Sequence, residues 1–219
     1  MRVDAEPRAA FHAPPSDRLA AVSAKPLSSA TLIIYSLALA LGIGVGSVYW
    51  TVRDGYPLGE AQIGPWKTWP RVGSREADPY ALSVVARTGE IPLGLGEGLA
   101  LTAAADDAGQ PLQSHCTYRI GSATPQARHW TLTAYGPDQR LLSTDLGRTG
   151  FTSTEVLRET DGSFWITLSR DLSPGNWLKL PSAGEFTLVI RLYDTPVAAG
   201  SAALEAHALP SIQRLGCAA

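Results

Sequence analysis

The 219-residue sequence is short of charge, of cysteine and of histidine. Charged residues make up 17% of it, against a usual share of about 25%. The formal net charge is −2 and the pI is near 6.1. Such a chain offers no electrostatic footprint for a phosphate backbone, so no nucleic-acid partner is expected. Scarcity of charge does not imply disorder here, because 45% of the residues are hydrophobic and a wholly disordered chain is excluded. Two cysteines exclude a disulfide-dense mini-protein and a four-cysteine zinc site. His115, His129 and His207 show neither H-x-H nor H-E-x-x-H spacing, so neither a metal nor another cofactor is expected. Neither G-x-S-x-G nor S-x-x-K occurs. Asp106 and Asp107 adjoin in a turn-forming stretch, and Glu90, Glu97, Glu155 and Glu159 are scattered, so no catalytic residue is assigned.

One long apolar run stands out. No charged side chain occurs over residues 26–52, and residues 31–52 (TLIIYSLALALGIGVGSVYWTV) form a helix of roughly 33 Å at 1.5 Å per residue, against a hydrocarbon core of about 30 Å. Its Leu, Ile and Val residues supply on the order of −3 to −5 kcal/mol of insertion free energy with no ion to oppose it. Tyr49 and Trp50 stand where an aromatic belt meets the headgroups, and Arg53 with Asp54 ends the run. About 25 mixed residues precede it, and its only A-x-A, Ala38 to Ala40, lies in its middle. The pattern therefore predicts an uncleaved anchor over 28–53 rather than a signal peptide or a core helix. Arg2, Arg8, Arg18 and Lys25 precede the run, while Arg53 and Lys67 are the near basic residues after it. The positive-inside rule then predicts a single-pass inner-membrane protein, its N-terminus in the cytoplasm and its C-terminal domain in the periplasm. Ala38, Gly42 and Gly46 recur every four residues and mark a face suited to close helix packing, hence to a homo-oligomer.

Residues 1–27 show no hydrophobic period and read as a disordered cytoplasmic tail. Residues 54–97 read as an irregular connector with one short helix. In ADPYALSVVARTG, Asp78 suits the N-cap, Pro79 the first helical position and Gly89 the left-handed end. Trp66 and Trp69 in the connector suit either the membrane surface or a cap on the domain core. A second, weaker helix is read over 198–206. Over 98–219 the period falls to two. Strands are expected over 99–104, 115–120, 129–135, 141–144, 151–157, 163–169 and 185–194, separated by turns such as DDAGQP, GPDQ and ETDG and by a longer SPGNWLKLPSAG. Phe186, Leu188, Ile190 and Leu192 share one face of the last strand, and Thr187, Arg191 and Tyr193 the other. The fold class is mainly β, an antiparallel sandwich or jelly roll behind one transmembrane helix and one short helix.

The ordered series GSATPQARHWTLTAYGPDQRLLS after Tyr118, DGSFWITLS at 161–169, GNWLKLP at 175–181 and FTLVIRLYD at 186–194 resembles the bacterial domain of unknown function 1214 over roughly residues 112–196. The upstream GPWKTWP, ADPY and ARTGEIPLGLGEG resemble members that carry an N-terminal membrane helix. The resemblance implies a β-sandwich-like envelope domain and supplies no catalytic residues. His129 and Trp130 stand where the family has paired tryptophans, and Lys179 interrupts its NWLP loop.

In an oxidising compartment Cys116 and Cys217 are expected to pair, closing a loop of about 100 residues that constrains the unfolded chain by up to roughly 4.7 kcal/mol. Trp165 alternates with Phe164 and Ile166 and is expected to be partly exposed. With Arg191 and Tyr193 it forms the candidate ligand-binding set, an aromatic and polar surface for an envelope glycan, lipid or protein. The expected role is a non-catalytic envelope scaffold or binding module resting on the lipid bilayer. The alternative is an envelope carbohydrate-active hydrolase, which needs two carboxylates facing across a cleft at about 5–9.5 Å.

Overall fold

A computed structural model describes residues 28–53, 60–89, 91–122, 126–142, 144–182, 184–196 and 209–218. The expected tail over 1–27, the helix expected over 198–206 and His207 lie outside these. The chain divides into two units, Met1–Ser47 and Val48–Ala219.

Helix α1 is Ser29–Arg53. Ser28 opens it, its Oγ accepting from the Thr31 amide at 3.2 Å. Its two inner hydroxyls turn back on the helix, Ser36 Oγ donating to the Ile33 carbonyl at 2.9 Å and Ser47 Oγ to the Gly44 carbonyl at 3.0 Å. Those two hydroxyls are thereby satisfied within the helix, while Tyr35, Tyr49 and Trp50 stay exposed along it. The segment Ser29–Thr51 is long and apolar enough to cross a membrane, and none of it is buried within the molecule. No neighbouring group lies within 4 Å of the Cβ positions that Gly42 and Gly46 lack, so that face of the helix is open.

The remainder is mainly β, with two sheets in a sandwich-like arrangement. Ten strands follow in order: β1 Ala61–Ile63, β2 Trp66–Thr68, β3 Gly98–Ala103, β4 Cys116–Gly121, β5 His129–Tyr135, β6 Gly150–Thr152, β7 Trp165–Ser169, β8 Asn176–Lys179, β9 Thr187–Tyr193 and β10 Ser211–Cys217. Helix α2, Pro79–Thr88, lies between β2 and β3 in sequence. One sheet runs β1-β2-β3-β9-β5-β6 and the other β10-β4-β7-β8.

Period-two alternation builds the core between them. From the six-stranded sheet Leu101, Trp130, Leu132, Leu188, Ile190 and Leu192 point inward, and from the other Tyr118, Ile120, Ile166, Leu168, Leu178 and Ile212; all are buried. Aromatic pairs join the two sides: Trp130 stacks on Phe164 at 4.8 Å, and Tyr118 meets Phe186 edge-on at 5.7 Å.

Several elements differ from the sequence expectation. The connector contains β1 and β2, the edge of the larger sheet. Trp66 caps the core, buried, with its indole N–H donating to the Pro210 carbonyl at 2.8 Å. The segment 141–144 contributes a bridge, Leu141 to Tyr135, rather than a strand, and the strand expected over 151–157 ends at Thr152. The supposed long turn SPGNWLKLPSAG contains β8, which pairs with β7 in parallel. Strands joined by a short link are expected to pair antiparallel. The Asn176 side chain fastens the start of β8, its amide donating to the Leu157 and Trp165 carbonyls, each at 2.9 Å, and its oxygen accepting from the Leu157 amide at 2.7 Å. Strand β10 also lies outside every expected strand, and it pairs with β4 so that Cys217 faces Cys116. The two cysteines form a disulfide.

Candidate functional site

The outward side chains of the larger sheet line up in ranks across its strands. Thr131 faces Arg191, which faces Ala100, and Thr133 faces Val189, which faces Thr102 and then Lys67. Val189 is on the outer side by register yet is only 7% exposed. Helix α2 lies across an apolar hollow from it. Asp78 caps it, accepting from the Tyr80 amide at 2.8 Å, and Gly89 ends it at φ 70°, a left-handed geometry that an L side chain resists. Ala81, Val84 and Val85 fall on one side by three- and four-residue spacing, and they line a cavity of about 550 Å³ whose opposite wall includes Thr102, Val189 and Thr187. Val72, Ile91 and Trp69 extend the apolar lining.

Polar groups gather at the margins. Arg191 donates from Nη1 to the Tyr135 hydroxyl at 3.2 Å, with its guanidinium 5.6 Å from the centre of that ring. Lys67 pairs with Glu60 at 3.3 Å. Among the described lining residues, Glu60 is the one carboxylate, against the two cations Lys67 and Arg191. Its volume falls within the range of small-molecule pockets, about 300–1,000 Å³. Arg191 also borders an open depression on the same face, about 720 Å³, that reaches Arg148, Glu155 and Tyr193.

The expected ligand set is divided by the fold. Arg191 and Tyr193 lie on β9 of the larger sheet, where Tyr193 packs against the His129 ring at 6.0 Å. Trp165 lies on β7 of the other sheet, half-buried on its outer side. It faces Gly121 across the ladder, and the Arg119 guanidinium covers its ring at 3.9 Å. Trp177, also half-buried on that sheet, donates its indole N–H to Ser169 Oγ at 3.0 Å. These rings are engaged by their own domain. Lys179 grips the Asp145 carboxylate at 2.7 and 2.8 Å, and that contact, chiefly the hydrogen bond, holds the Asp145 carboxyl below the usual range. His129 accepts or donates at Nδ1 to Ser153 Oγ, 2.8 Å away. Asp106 serves its turn as expected, Oδ1 accepting from the Ala108 and Gln110 amides at 3.0 and 2.9 Å.

Two groupings were missed by the sequence reading. The cavity wall on α2 carried a sequence signal, the apolar Ala81, Val84 and Val85, which a core contact alone would equally have produced. His115 stands beside the disulfide, with ligand atoms of His115, Cys116 and Cys217 all within 4.8 Å of one another. Neither spacing nor periodicity brings residues 115 and 217 together; the β4–β10 register does.

Residues 97–197 match the family described as protein of unknown function (DUF1214). That segment, just under half of the chain, is similar to the DUF1214 family. It runs from β3 through β9, so it supplies the sheet wall of the cavity, while α2, β1, β2 and β10 lie outside the DUF1214 match. The fold is similar to that of the VPA0106 protein of Vibrio parahaemolyticus, with a TM-score of 0.55 at 18% identity over 88% of this chain and 47% of that one. An uncharacterized protein from Burkholderia cenocepacia also aligns, at 18% identity and a TM-score of 0.35 over 54% of this chain and 29% of that one. The chain thus spans about half the length of the Vibrio protein. No curated relative matches it.

Proposed function

We propose that this chain is a single-pass inner-membrane protein whose periplasmic DUF1214 domain is a non-catalytic binding module, holding an anionic amphiphile between α2 and the outer face of the larger sheet. The observation that carries this reading is the cavity of about 550 Å³ with its Val72, Val84, Val85 and Val189 walls and its Lys67 and Arg191 margin. Apolar walls favour an acyl or similar body at roughly 0.8 kcal/mol for each methylene removed from water. With Lys67 paired to Glu60, the described lining carries one positive charge in excess, at Arg191, and that favours an acidic head. Helix α1 fits the same setting, since an anchor keeps the module at the surface where amphiphiles reside. A glycosidase-like site calls for two opposed carboxylates, and the described lining holds Glu60, already paired with Lys67. The geometry therefore favours binding.

The test is titration of the full-length protein in nanodiscs with a long-chain fatty acid brominated on its chain, following quenching of Trp69. The Trp69 signal is isolated by difference from Trp69→Phe. Saturable quenching that is lost in Val85→Phe, which fills the cavity, is the expected result. Quenching that is linear in ligand and equal in both proteins would show partition into the bilayer only and would overturn the reading.

A further inference from the structure

We propose that His115, Cys116 and Cys217 form a binding site for a soft d¹⁰ cation, Zn²⁺ or Cu⁺, that is created when the Cys116–Cys217 bridge is reduced and destroyed when it re-forms. This does not rest on the amphiphile reading, since it concerns the other sheet.

Three observations carry it. The first is composition: two thiolates and an imidazole are the donors that Zn²⁺ and Cu⁺ select over hard cations. The second is geometry. Tetrahedral zinc holds sulfur at about 2.3 Å and nitrogen at about 2.0–2.1 Å, which places donor atoms roughly 3.5–3.8 Å apart. The donor atoms of the three residues lie within 4.8 Å of one another; once the bridge is reduced the two sulfurs must part from about 2.05 Å to the zinc donor spacing, while the imidazole needs to approach by at most about an ångström. Cys116 is buried, whereas His115 and Cys217 are exposed, which leaves the site open to solvent on one side.

The third observation is that the bridge is not the sole link between the two strands that carry the cysteines. Strand β10 pairs with β4 from Ser211↔Gly121 to Cys217↔Cys116, and the Ala218 amide donates to the His115 carbonyl at 3.0 Å beyond the last pair. The same strand is tied elsewhere: the Ile212 amide donates to the Asp107 carboxylate at 2.9 Å, and Arg214 donates from Nη2 to the Pro111 carbonyl at 2.6 Å. Arg214 Nε also lies 2.8 Å from Asp106 Oδ2, an ion pair whose angle is poor for a hydrogen bond. With these contacts in place, two freed thiols remain face to face beside His115.

The chemistry balances with a dithiol as the reductant. The dithiol gives two electrons and two protons to the Cys116–Cys217 bond, becoming a disulfide itself and leaving two thiols. The cation then displaces both thiol protons and takes the neutral imidazole as a third ligand. Three protein ligands leave a fourth position for an exchangeable group, so the site suits loading and release more than permanent structure. When a disulfide oxidant takes the two electrons back from the thiolates, picking up two protons from water to become a dithiol, the Cys116–Cys217 bond re-forms, two ligands are lost at once and the ion is expelled.

The experiment uses the full-length protein in nanodiscs under anaerobic conditions, oxidised or reduced with a phosphine that brings no competing thiol. Co²⁺ is the optical probe. One Co²⁺ per chain with a thiolate charge-transfer band in the reduced protein, and none in the oxidised protein, is expected. Zn²⁺ displacement of Co²⁺ and a Cu⁺ titration against a chromophoric chelator then show which ion is preferred, and either preference supports the site. Cys217→Ser should abolish the band, and His115→Ala should weaken Co²⁺ by tenfold or more without changing the circular dichroism. The proposal is overturned by absence of metal on the reduced chain, by equal binding to the oxidised chain, by His115→Ala binding within twofold of the parent, or by loss of the β signal on reduction.

Discussion

At Trp66 a large ring fills the edge of the core and its one polar atom is satisfied by the Pro210 carbonyl. The two roles separate by mutation. Trp66→Phe keeps most of the volume and removes the hydrogen bond, and is expected to cost on the order of 1 kcal/mol. Trp66→Ala opens a cavity as well and is expected to cost about 3–5 kcal/mol. Thermal unfolding of the full-length protein in detergent measures both, and equal losses in the two variants would contradict the division. Asp107 is a residue of another kind, an exposed carboxylate only partly desolvated and committed to the Ile212 amide. Burial raises its pKa, the Ile212 hydrogen bond opposes that, and Asp106 adds to the rise. The folded state therefore holds this proton to higher pH than the unfolded chain does. Its contribution to stability is fullest below the unfolded carboxylate value of about 3.9 and declines as pH rises through that value to the raised folded one. Asp107→Asn, which still offers an oxygen to Ile212, is expected to flatten the pH dependence of unfolding across that acid window. An unchanged slope would show that other carboxylates govern it.

Among the elements, α2 and β5 were legible in the sequence because their signals are local. Asp78, Pro79 and Gly89 mark both ends of the helix, and His129 to Tyr135 alternates without interruption. Strands β1, β2, β8 and β10 were not, and for physical reasons. The first two have three residues each, too few for a period, and sit among Gly and Pro. Strand β8 has four residues and lies parallel to its sequence neighbour, with its start fastened by the Asn176 side chain, and none of this leaves a local signal. Strand β10 is half exposed, so its hydrophobic pattern is faint. The candidate site was legible in part: Arg191 was singled out, while its separation from Trp165 depends on which sheet each strand joins. Element pairing also has a weak point that can be probed. Gly121 ends β4 opposite Trp165 at φ 147°, and a Cβ there would lie 2.0 Å from the Phe164 carbonyl oxygen. Gly121→Ala must displace backbone of β7 and is expected to cost at least about 1–3 kcal/mol, with amide exchange rising first in the β4–β7 ladder. Uniform loss across both sheets would argue against so local an effect.

For the whole molecule, the bridge and the anchor place the chain in one chemical setting. Cys116 and Cys217 are 101 residues apart in sequence, and a loop of about that length constrains the unfolded chain by up to roughly 4.7 kcal/mol in the entropy model. The Cys116→Ser, Cys217→Ser double variant is therefore expected to unfold at lower temperature with its β signal intact, because the β4–β10 ladder remains; collapse of the sheets would show that the bridge, not the ladder, holds β10. Such a bridge persists where thiols are not kept reduced, and the apolar Ser29–Thr51 segment is long enough to cross a membrane. The proposed address requires lipid to be the solvent of α1. Alkaline carbonate, which strips proteins held to vesicles by charge alone, is expected to leave the full chain in the membrane pellet, whereas a chain with residues 28–53 deleted is expected in the supernatant. Release of the intact chain would remove the membrane from the account, and with it the periplasmic address that links the disulfide to the bilayer.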